Sequence, residues 1–420
     1  MKPIALFAVL AASAMAGHWD IEKVDSAGWG ASIDMRWHPD GRLLLCYGDT
    51  SGMIRLASKD SVWSYEDLPQ WRPTRSGSQA FDIDLRGDIG VSYIGTDNLY
   101  WYALKTDTGW ADIQTPFNAG PYYPSLTSLD ASGAPAICVQ LGDAYLLARM
   151  RDTAWVTYAL ADGSSGWTND FDCSALGSMD DVVWGVFRYT GTFPIEGAYF
   201  CSLNRFQARD SDVSVVQIAS AVGWIPAASG CVDARDSVHS CYYNNGELYL
   251  DQTAIDTTMV ARTAVKFDSL DRPQIAYIPS GGGLLYRYRD GGGWHIFDLQ
   301  TTGVAALSLI IGENSQPLIA YATSEGVFLA HGAEIVGQSE EQGQPTTYYS
   351  RLTASVIRNV LILPGASSRK PKAAGWLLDA AGRRALDLHP GANDVSSLAP
   401  GVYFTREGQA QAVRKVVIAR

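Results

Sequence analysis

Five aromatic positions recur at comparable places along the 420-residue chain, each a few residues upstream of a short strand-forming run. Trp29 precedes "ASIDM", Trp71 precedes "AFDID", Tyr123 (beside Tyr122) precedes "PSLTS", Trp167 precedes "DFDCS" and Trp224 precedes "ASGCV". Flat rings stack on sugar faces and give rigid anchors for protein recognition, so these five are the candidate ligand-binding residues. The same regularity has a packing reading, in which the rings wedge between neighbouring structural units. Catalytic signatures are missing: the sequence has no H-E-x-x-H, G-x-S-x-G, G-x-x-x-x-G-K or C-x-x-C. Six histidines, at positions 18, 38, 239, 295, 331 and 389, show no ligand-like spacing. No catalytic residue, metal or cofactor is assigned. In "FDIDLRGDIG", strand alternation puts Asp82 and Asp84 on one face, as a solvated or channel-facing polar pair. Arg36, Arg86 and Arg235 fall near the ends of strand-forming runs, where three guanidinium groups could converge.

The elements that must position these residues repeat. A short apolar strand ending in a small residue and an aromatic occurs as "LLLCYG" from Leu43, "IGVSYIG" from Ile89, "VHSCYY" from Val238, "PQIAYI" from Pro273 and "PLIAYA" from Pro317. Turn phrases rich in Asp, Gly and Pro precede it, such as "WHPDGR" and "FDSLDRP". A Trp-led phrase closes each unit: "KDSVWSYEDL", "TDTGWADIQT", "RDTAWVTYAL" and "RDGGGWHIFDL". Four short antiparallel strands per unit of roughly 45 residues is the spacing of a propeller blade. Anchoring on the second strand gives Tyr47, Tyr93, Val139, about Trp184, Tyr242, Tyr277 and Tyr321, hence seven blades, the fourth long and irregular and the fifth shortened. The seventh lacks an outer strand, while the segment "GHWDIEKVDSAGW" matches "GGWHIFDLQTTGV" of the sixth, Trp19 against Trp294. Residues 18–24 are therefore expected to complete the last blade and close the ring. The five aromatics then lie in blade-to-blade loops and form a crown on one face.

Cys46, Cys138 and Cys241 occupy the place of Ser92, Ala276 and Ala320 in sister units, so they read as small core fillers. Cys201 reads as core too. Cys173 and Cys231, on inner strands of adjacent blades, are the one pair for which a disulfide is considered.

Charge divides the chain. Of its 32 basic and 44 acidic residues, 11 and 4 fall after Pro345, leaving the body at −19 and the tail at +7. An acidic body is a poor partner for nucleic acid, which it would repel. "MKPIALFAVLAASAMA" has the basic start, short apolar run and Ala-x-Ala end of a signal peptide cleaved after Ala16, and no segment has the ~20 apolar residues of a transmembrane helix. The expected domains are a signal peptide (1–16), a propeller (17–338), a linker (339–351) and a small β-sandwich (352–420).

The tail resembles the type A C-terminal sorting domain of proteins exported by the bacterial type IX secretion system. The resemblance rests on "LLDAAGRRALDL" (Leu377 to Leu388), "LAPGVYF" (Leu398 to Phe404) and the closing "RKVVIAR", and covers about 70 residues. It implies export through the periplasm to the cell surface or beyond, with the secretion machinery as partner. Many members carry an early Asn-Pro pair, where this chain reads "LPGASSRKPKA". "GTDNLYWYALKTDTGW" (Gly95 to Trp110) resembles one repeat of seven-bladed bacterial propeller lectins. Sialidase-like blades carry an S-x-D-x-G-x-T-W turn, of which "SKDSVWS" and "KTDTGW" keep only the Asp and Trp. The expectation is an all-β, exported, non-catalytic propeller that binds glycan or protein at the surface. The alternatives are a glycan-active hydrolase or lyase, which needs two placed carboxylates, and a purely structural surface protein.

Overall fold

The computed structural model describes residues 19–333 except 27, 50–53, 69–80, 85, 95–96, 98, 119–124, 130–132, 142–143, 152–153, 162–169, 180–181, 193–198, 210–211, 223–224, 226, 234, 236 and 313–314. After residue 333 it describes 355–357, 360–363, 375–379, 383–388, 391–395, 397–399, 401–406 and 413–418. The signal peptide and linker expected above lie outside these residues. The chain divides into two compact units, Met1–Gln338 and Ser339–Arg420.

Strand β1 (Asp20–Asp25) precedes six consecutive four-stranded blades. Blade 1 is β2 (Gly28–Trp37), β3 (Leu43–Asp49), β4 (Ile54–Lys59) and β5 (Trp63–Leu68). Blade 2 is β6 (Phe81–Ile83), β7 (Ile89–Ile94), β8 (Leu99–Thr106) and β9 (Gly109–Asn118). Blade 3 is β10 (Ser125–Leu129), β11 (Pro135–Leu141), β12 (Ala144–Arg151) and β13 (Ala154–Ala161). Blade 4 is β14 (Asp170–Met179), β15 (Val182–Thr192), β16 (Tyr199–Arg209) and β17 (Asp212–Val222). Blade 5 is β18 (Ala228–Val232), β19 (Val238–Asn244), β20 (Glu247–Leu250) and β21 (Thr253–Asp256). Blade 6 is β22 (Val260–Phe267), β23 (Pro273–Pro279), β24 (Leu285–Asp290) and β25 (Gly293–Asp298). Blade 7 contributes β26 (Ala306–Ile311), β27 (Pro317–Thr323) and β28 (Gly326–His331), and takes β1 as its outer strand. Inner strands touch in the cyclic order β2, β6, β10, β14, β18, β22, β26 and back to β2. The first unit is thus a closed seven-bladed β-propeller.

The second-strand phrase forms β3, β7, β19, β23 and β27, and its aromatic is buried at Tyr47, Tyr93, Tyr242, Tyr277 and Tyr321. Three of these hydroxyls donate to an aspartate: Tyr47 to Asp25 (2.7 Å), Tyr93 to Asp112 (3.0 Å) and Tyr277 to Asp256 (2.5 Å). A buried phenol needs such a partner; Tyr93 finds it on the outer strand of its own blade, Tyr47 and Tyr277 on the outer strand of the preceding one. The Trp of the closing phrase packs into a hydrophobic cluster at Trp63, Trp110, Trp155 and Trp294, as does Trp19. Blade 4 is long and irregular, as expected: its strands of 10 or 11 residues are among the longest of the ring, and its register shifts between Cys173 and Ala175 and between Leu203 and Asn204. Counting from the Met179–Val182 pair, Val186 takes the place of Tyr47, so the anchor lies two residues beyond Trp184. Cys46, Cys138, Cys201, Cys231 and Cys241 are free and buried, as fillers should be. Burial pushes the Cys231 thiol up to about 12; the Cys173 side chain lies outside the described set.

Closure follows from β1. It pairs antiparallel with β28, Asp20 opposite His331 and Ile21 opposite Ala330. Its other contacts reach blade 1: Asp25 accepts from Arg55 Nη1 (2.7 Å), Glu22 pairs with Lys59, and Tyr65 donates to the Val24 carbonyl (2.5 Å). Val24 is buried in the cluster shared by blades 7 and 1.

The second unit has a five-stranded sheet, ordered β29 (Ser355–Ile357), β35 (Val413–Ile418), β34 (Gly401–Arg406), β31 (Gly375–Asp379) and β32 (Arg384–Leu388). A two-stranded sheet joins β30 (Val360–Leu363) to β33 (Gly391–Asp394). Leu377, Leu388, Val395 and Tyr403 form its core, and Tyr403 donates to the Ala399 carbonyl (3.0 Å).

Replacing Val24 by Asp places an unpaired charge in the closing cluster and should cost about 3 kcal/mol or more. Ile21→Asp, at a position 40% exposed on the same strand, should cost far less. Thermal unfolding of the two variants checks this, and equal losses would mean that β1 does not close the ring.

Candidate functional site

In an antiparallel blade, the first-to-second and third-to-fourth turns share one end, and the blade-to-blade loops lie at the other. A series of capped turns lies at the first end. Aspartates right after inner strands cap the turns there. Asp84 accepts from the amides of Arg86 (2.9 Å) and Asp88 (2.8 Å) and from Arg86 Nε (2.9 Å). Asp268 does the same with Leu270, Arg272 and Arg272 Nε. Asp233 takes the amides of Arg235 and Ser237. These Asx turns make Asp84 a cap, so only Asp82 of the expected pair remains toward the channel.

A groove of about 750 Å³ lies between blades 1 and 2 at this end. Two turns form its walls, "HPDGR" of blade 1 and "RGD" of blade 2, with Ser58, Tyr65 and Glu66 on one side and Lys105 to Thr108 on the other. His38 Nε2 sits 3.1 Å from the Gly87 carbonyl and joins the two turns. Gly87 has φ 95°, and a Cβ there would lie 2.6 Å from His38 Nε2, so the turn needs glycine. Asp40 holds Arg42 (2.8 Å) and the ring of His38 (2.7 Å). Desolvation pushes the Asp40 carboxyl up, but the Arg42 amide, His38 and the Arg42 guanidinium together outweigh it and hold the carboxyl low. Glu66 meets Lys105 and accepts from Trp110 Nε1 (2.8 Å), and these donors outweigh its burial and keep its carboxyl low. The groove therefore presents fixed carboxylates and fixed cations side by side, with the half-exposed ring of Tyr65 (48%) among them. Sugar hydroxyls both donate and accept, and such alternation satisfies both roles.

A second cluster lies on the axis. The residue before the last ladder pair of each inner strand forms one layer: Arg36, Asp82, Ser128 and Ser178 from blades 1 to 4, then Cys231, Lys266 and Ile310 from blades 5 to 7. Arg36 donates to Asp34 Oδ1 (2.7 Å) and Asp82 Oδ1 (3.2 Å). Asp82 Oδ2 accepts from the Leu129 amide (2.9 Å) and Ser128 Oγ (3.2 Å), and Ser128 meets Ser178 (3.0 Å). Asp34, 6% exposed, also takes the Met35 amide and Ser308 Oγ on Oδ1. Burial pushes its carboxyl up despite Arg36, and burial with the nearby Arg36 pushes the Lys266 amine down.

The expected aromatic crown is not brought into view. Trp71, Tyr123, Trp167 and Trp224 lie outside the described residues; Trp29 falls on β2, its side chain outside the described set. Of the three arginines expected to converge, Arg36 enters the axial layer, whereas turn carboxylates engage Arg86 (Asp84) and Arg235 (Asp271, 2.9 Å). The axial layer and the groove were missed, because each joins residues of unlike type from units 46 or more positions apart. Among the described residues, no group of three His, Cys, Asp or Glu side chains is placed to hold a metal, and no helix is long and apolar enough to cross a membrane.

No known protein family matches the chain, and no curated protein does. Solved structures resembling it include the BP39L lectin of Burkholderia pseudomallei, 13% identical with a TM-score of 0.46, covering 74% of this chain and 99% of that one. AofleA of Arthrobotrys oligospora is 10% identical with a TM-score of 0.42, covering 77% and 91%. PorZ, described as a bacterial surface component of the type IX secretion system of Porphyromonas gingivalis, is 12% identical with a TM-score of 0.43, covering 92% and 59%.

One histidine carries a pH dependence. His239 places Nδ1 2.8 Å from Asp251 and Nε2 3.1 Å from Asp233, with its ring 4.2 Å from Phe267. The Asp251 bond, against partial burial and with help from Asp233, raises its pKa above the ordinary 6.5. A raised folded value means the stabilisation is full below pH 6.5 and is lost as pH rises through that folded value. His239→Gln should therefore cost about 1 kcal/mol at acidic pH and progressively less in alkali. Unfolding curves of both proteins across pH check this; a cost that is flat or grows with pH would contradict it.

Proposed function

We propose that this chain is an exported, non-catalytic propeller that binds glycan at or beyond the cell surface. The groove between blades 1 and 2 carries the proposal: its paired Asp40–Arg42 and Glu66–Lys105 and its open Tyr65 ring suit hydroxyl-rich ligands. The crown of Trp29, Trp71, Tyr123, Trp167 and Trp224 would supply stacking on the opposite face. Protein recognition is the other ligand class that such rings serve. A glycan-active hydrolase would need two carboxylates free to exchange protons. Asp34 and Asp82 do converge on the axis, but Arg36 holds both, and Asp82 Oδ2 is taken by Ser128 and the Leu129 amide. That engagement favours binding over hydrolysis.

The leader of residues 1–16 and the sorting-type tail support the address. In this reading the secretion machinery recognises the tail after export to the periplasm.

Two tests follow. A glycan array with the full-length chain should show binding, weakened about tenfold or more by Arg42→Ala with Lys105→Ala. Loss in a folded Trp29→Ala/Trp167→Ala variant alone would move the site to the crown, and no binding to any glycan would overturn the proposal. In a host with the type IX system, removing residues 352–420 should trap the protein inside the cell envelope. Undiminished surface delivery would refute the address.

A further inference from the structure

Among the described residues, the axial cluster leaves one carboxylate oxygen and one ammonium group without a hydrogen-bond partner. Asp34 Oδ2 is buried and accepts no hydrogen bond. Among the described residues, Lys266 makes no hydrogen bond or ion pair, although Asp34, Asp82, Arg36 and Cys231 all lie within its electrostatic reach. Leaving a buried carboxylate oxygen unpaired costs about 1–3 kcal/mol, and an ammonium ion held deep in a protein costs more unless it is hydrated or paired. Arg36 and Asp82 nevertheless keep 16% and 19% of their side-chain surface open. Seven inner strands surround them, and this residual exposure is where the layer meets solvent.

The charges identify what fits. Two carboxylates, Asp34 and Asp82, face two cations, Arg36 and Lys266, for a net of zero. A free anion would meet the carboxylates and a free cation would meet Lys266 and Arg36, so neither is favoured. A neutral ligand bearing adjacent hydroxyls matches both sides: it accepts from Lys266 and Arg36 and donates to Asp82 and the orphaned Asp34 oxygen. Ser128 and Ser178 are hydroxyls that can do either. Ile310 and Cys231 share the register of this layer but are buried in the hydrophobic clusters between blades, so they add no charge to it.

We infer that the axial layer around Arg36, Asp82 and Lys266 is a second ligand site of this propeller, one that takes a single neutral sugar ring through its vicinal hydroxyls. This inference rests on the glycan-binding reading, which it extends from the groove to the channel.

The test titrates the full-length chain with methyl glucoside, methyl galactoside and methyl mannoside by calorimetry. Wild type is compared with Lys266→Met, Asp34→Asn and the groove variant Arg42→Ala/Lys105→Ala. At least one glycoside should bind saturably. Lys266→Met and Asp34→Asn should weaken it about tenfold to a hundredfold, and the groove variant should leave that phase unchanged. Asp34→Asn keeps the shape of the buried side chain, so it guards against misreading an unfolded Lys266→Met. Simple glycosides that bind only through the groove would overturn the axial site and leave the glycan reading standing. Absence of any axial phase, with oligosaccharides still captured on an array, would show that the channel holds water alone. Failure of both assays would sink the glycan reading along with the axial site.

Discussion

Everything described here depends on one strand pairing across the whole length of the propeller. Six residues, Asp20–Asp25, supply the fourth strand of the last blade. Without them β28 would present a bare edge, and an exposed edge invites pairing with other chains. The same six residues meet blade 1 through Asp25, Glu22 and Val24, so a single strand satisfies one blade and fastens it to the next. The acidic residues that do this leave blade 1 few options: Arg55 and Lys59 are committed to the seam.

Closure also creates the two candidate sites. A groove between blades 1 and 2 requires those blades to hold a fixed angle, and the His38–Gly87 contact shows the turns locked together. The axial layer is more demanding. It takes one residue from each of seven strands, so opening the ring anywhere would disperse it. Arg36 is its organising group, holding carboxylates from its own strand and from blade 2. Lys266 arrives from blade 6, two blades round the ring from Arg36, and its lack of a hydrogen bond or ion pair among the described residues distinguishes this layer from an ordinary buried salt-bridge network.

The repeat was readable because physics imposes the same residue types in each unit. A second strand packed between sheets needs a small residue and then an aromatic, so Cys46, Ser92, Ala276 and Ala320 align, as do Tyr47, Tyr93, Tyr277 and Tyr321. The pairing of β1 was readable for the same reason, since Trp19 does in blade 7 what Trp294 does in blade 6. Blade 4 was misaligned by two residues because Val186 replaces the tyrosine and the register shifts between Cys173 and Ala175. The axial layer left no such trace. Its members, among them Arg36, Ser128, Cys231 and Ile310, share a ladder position and no chemistry, so nothing in the sequence marks them as one set. The groove was hidden because turn phrases read as punctuation, although their Asp and Arg side chains line it.

Hydrogen–deuterium exchange on the full-length chain, with and without a mixed glycan pool, tests the central claim most directly. The account predicts slowed exchange at His38 to Arg42, Gly87 to Ile89 and Lys105 to Thr108, the turns of the groove. Slowing confined to the segments that carry Tyr123, Trp167 and Trp224, or no change anywhere, would contradict it.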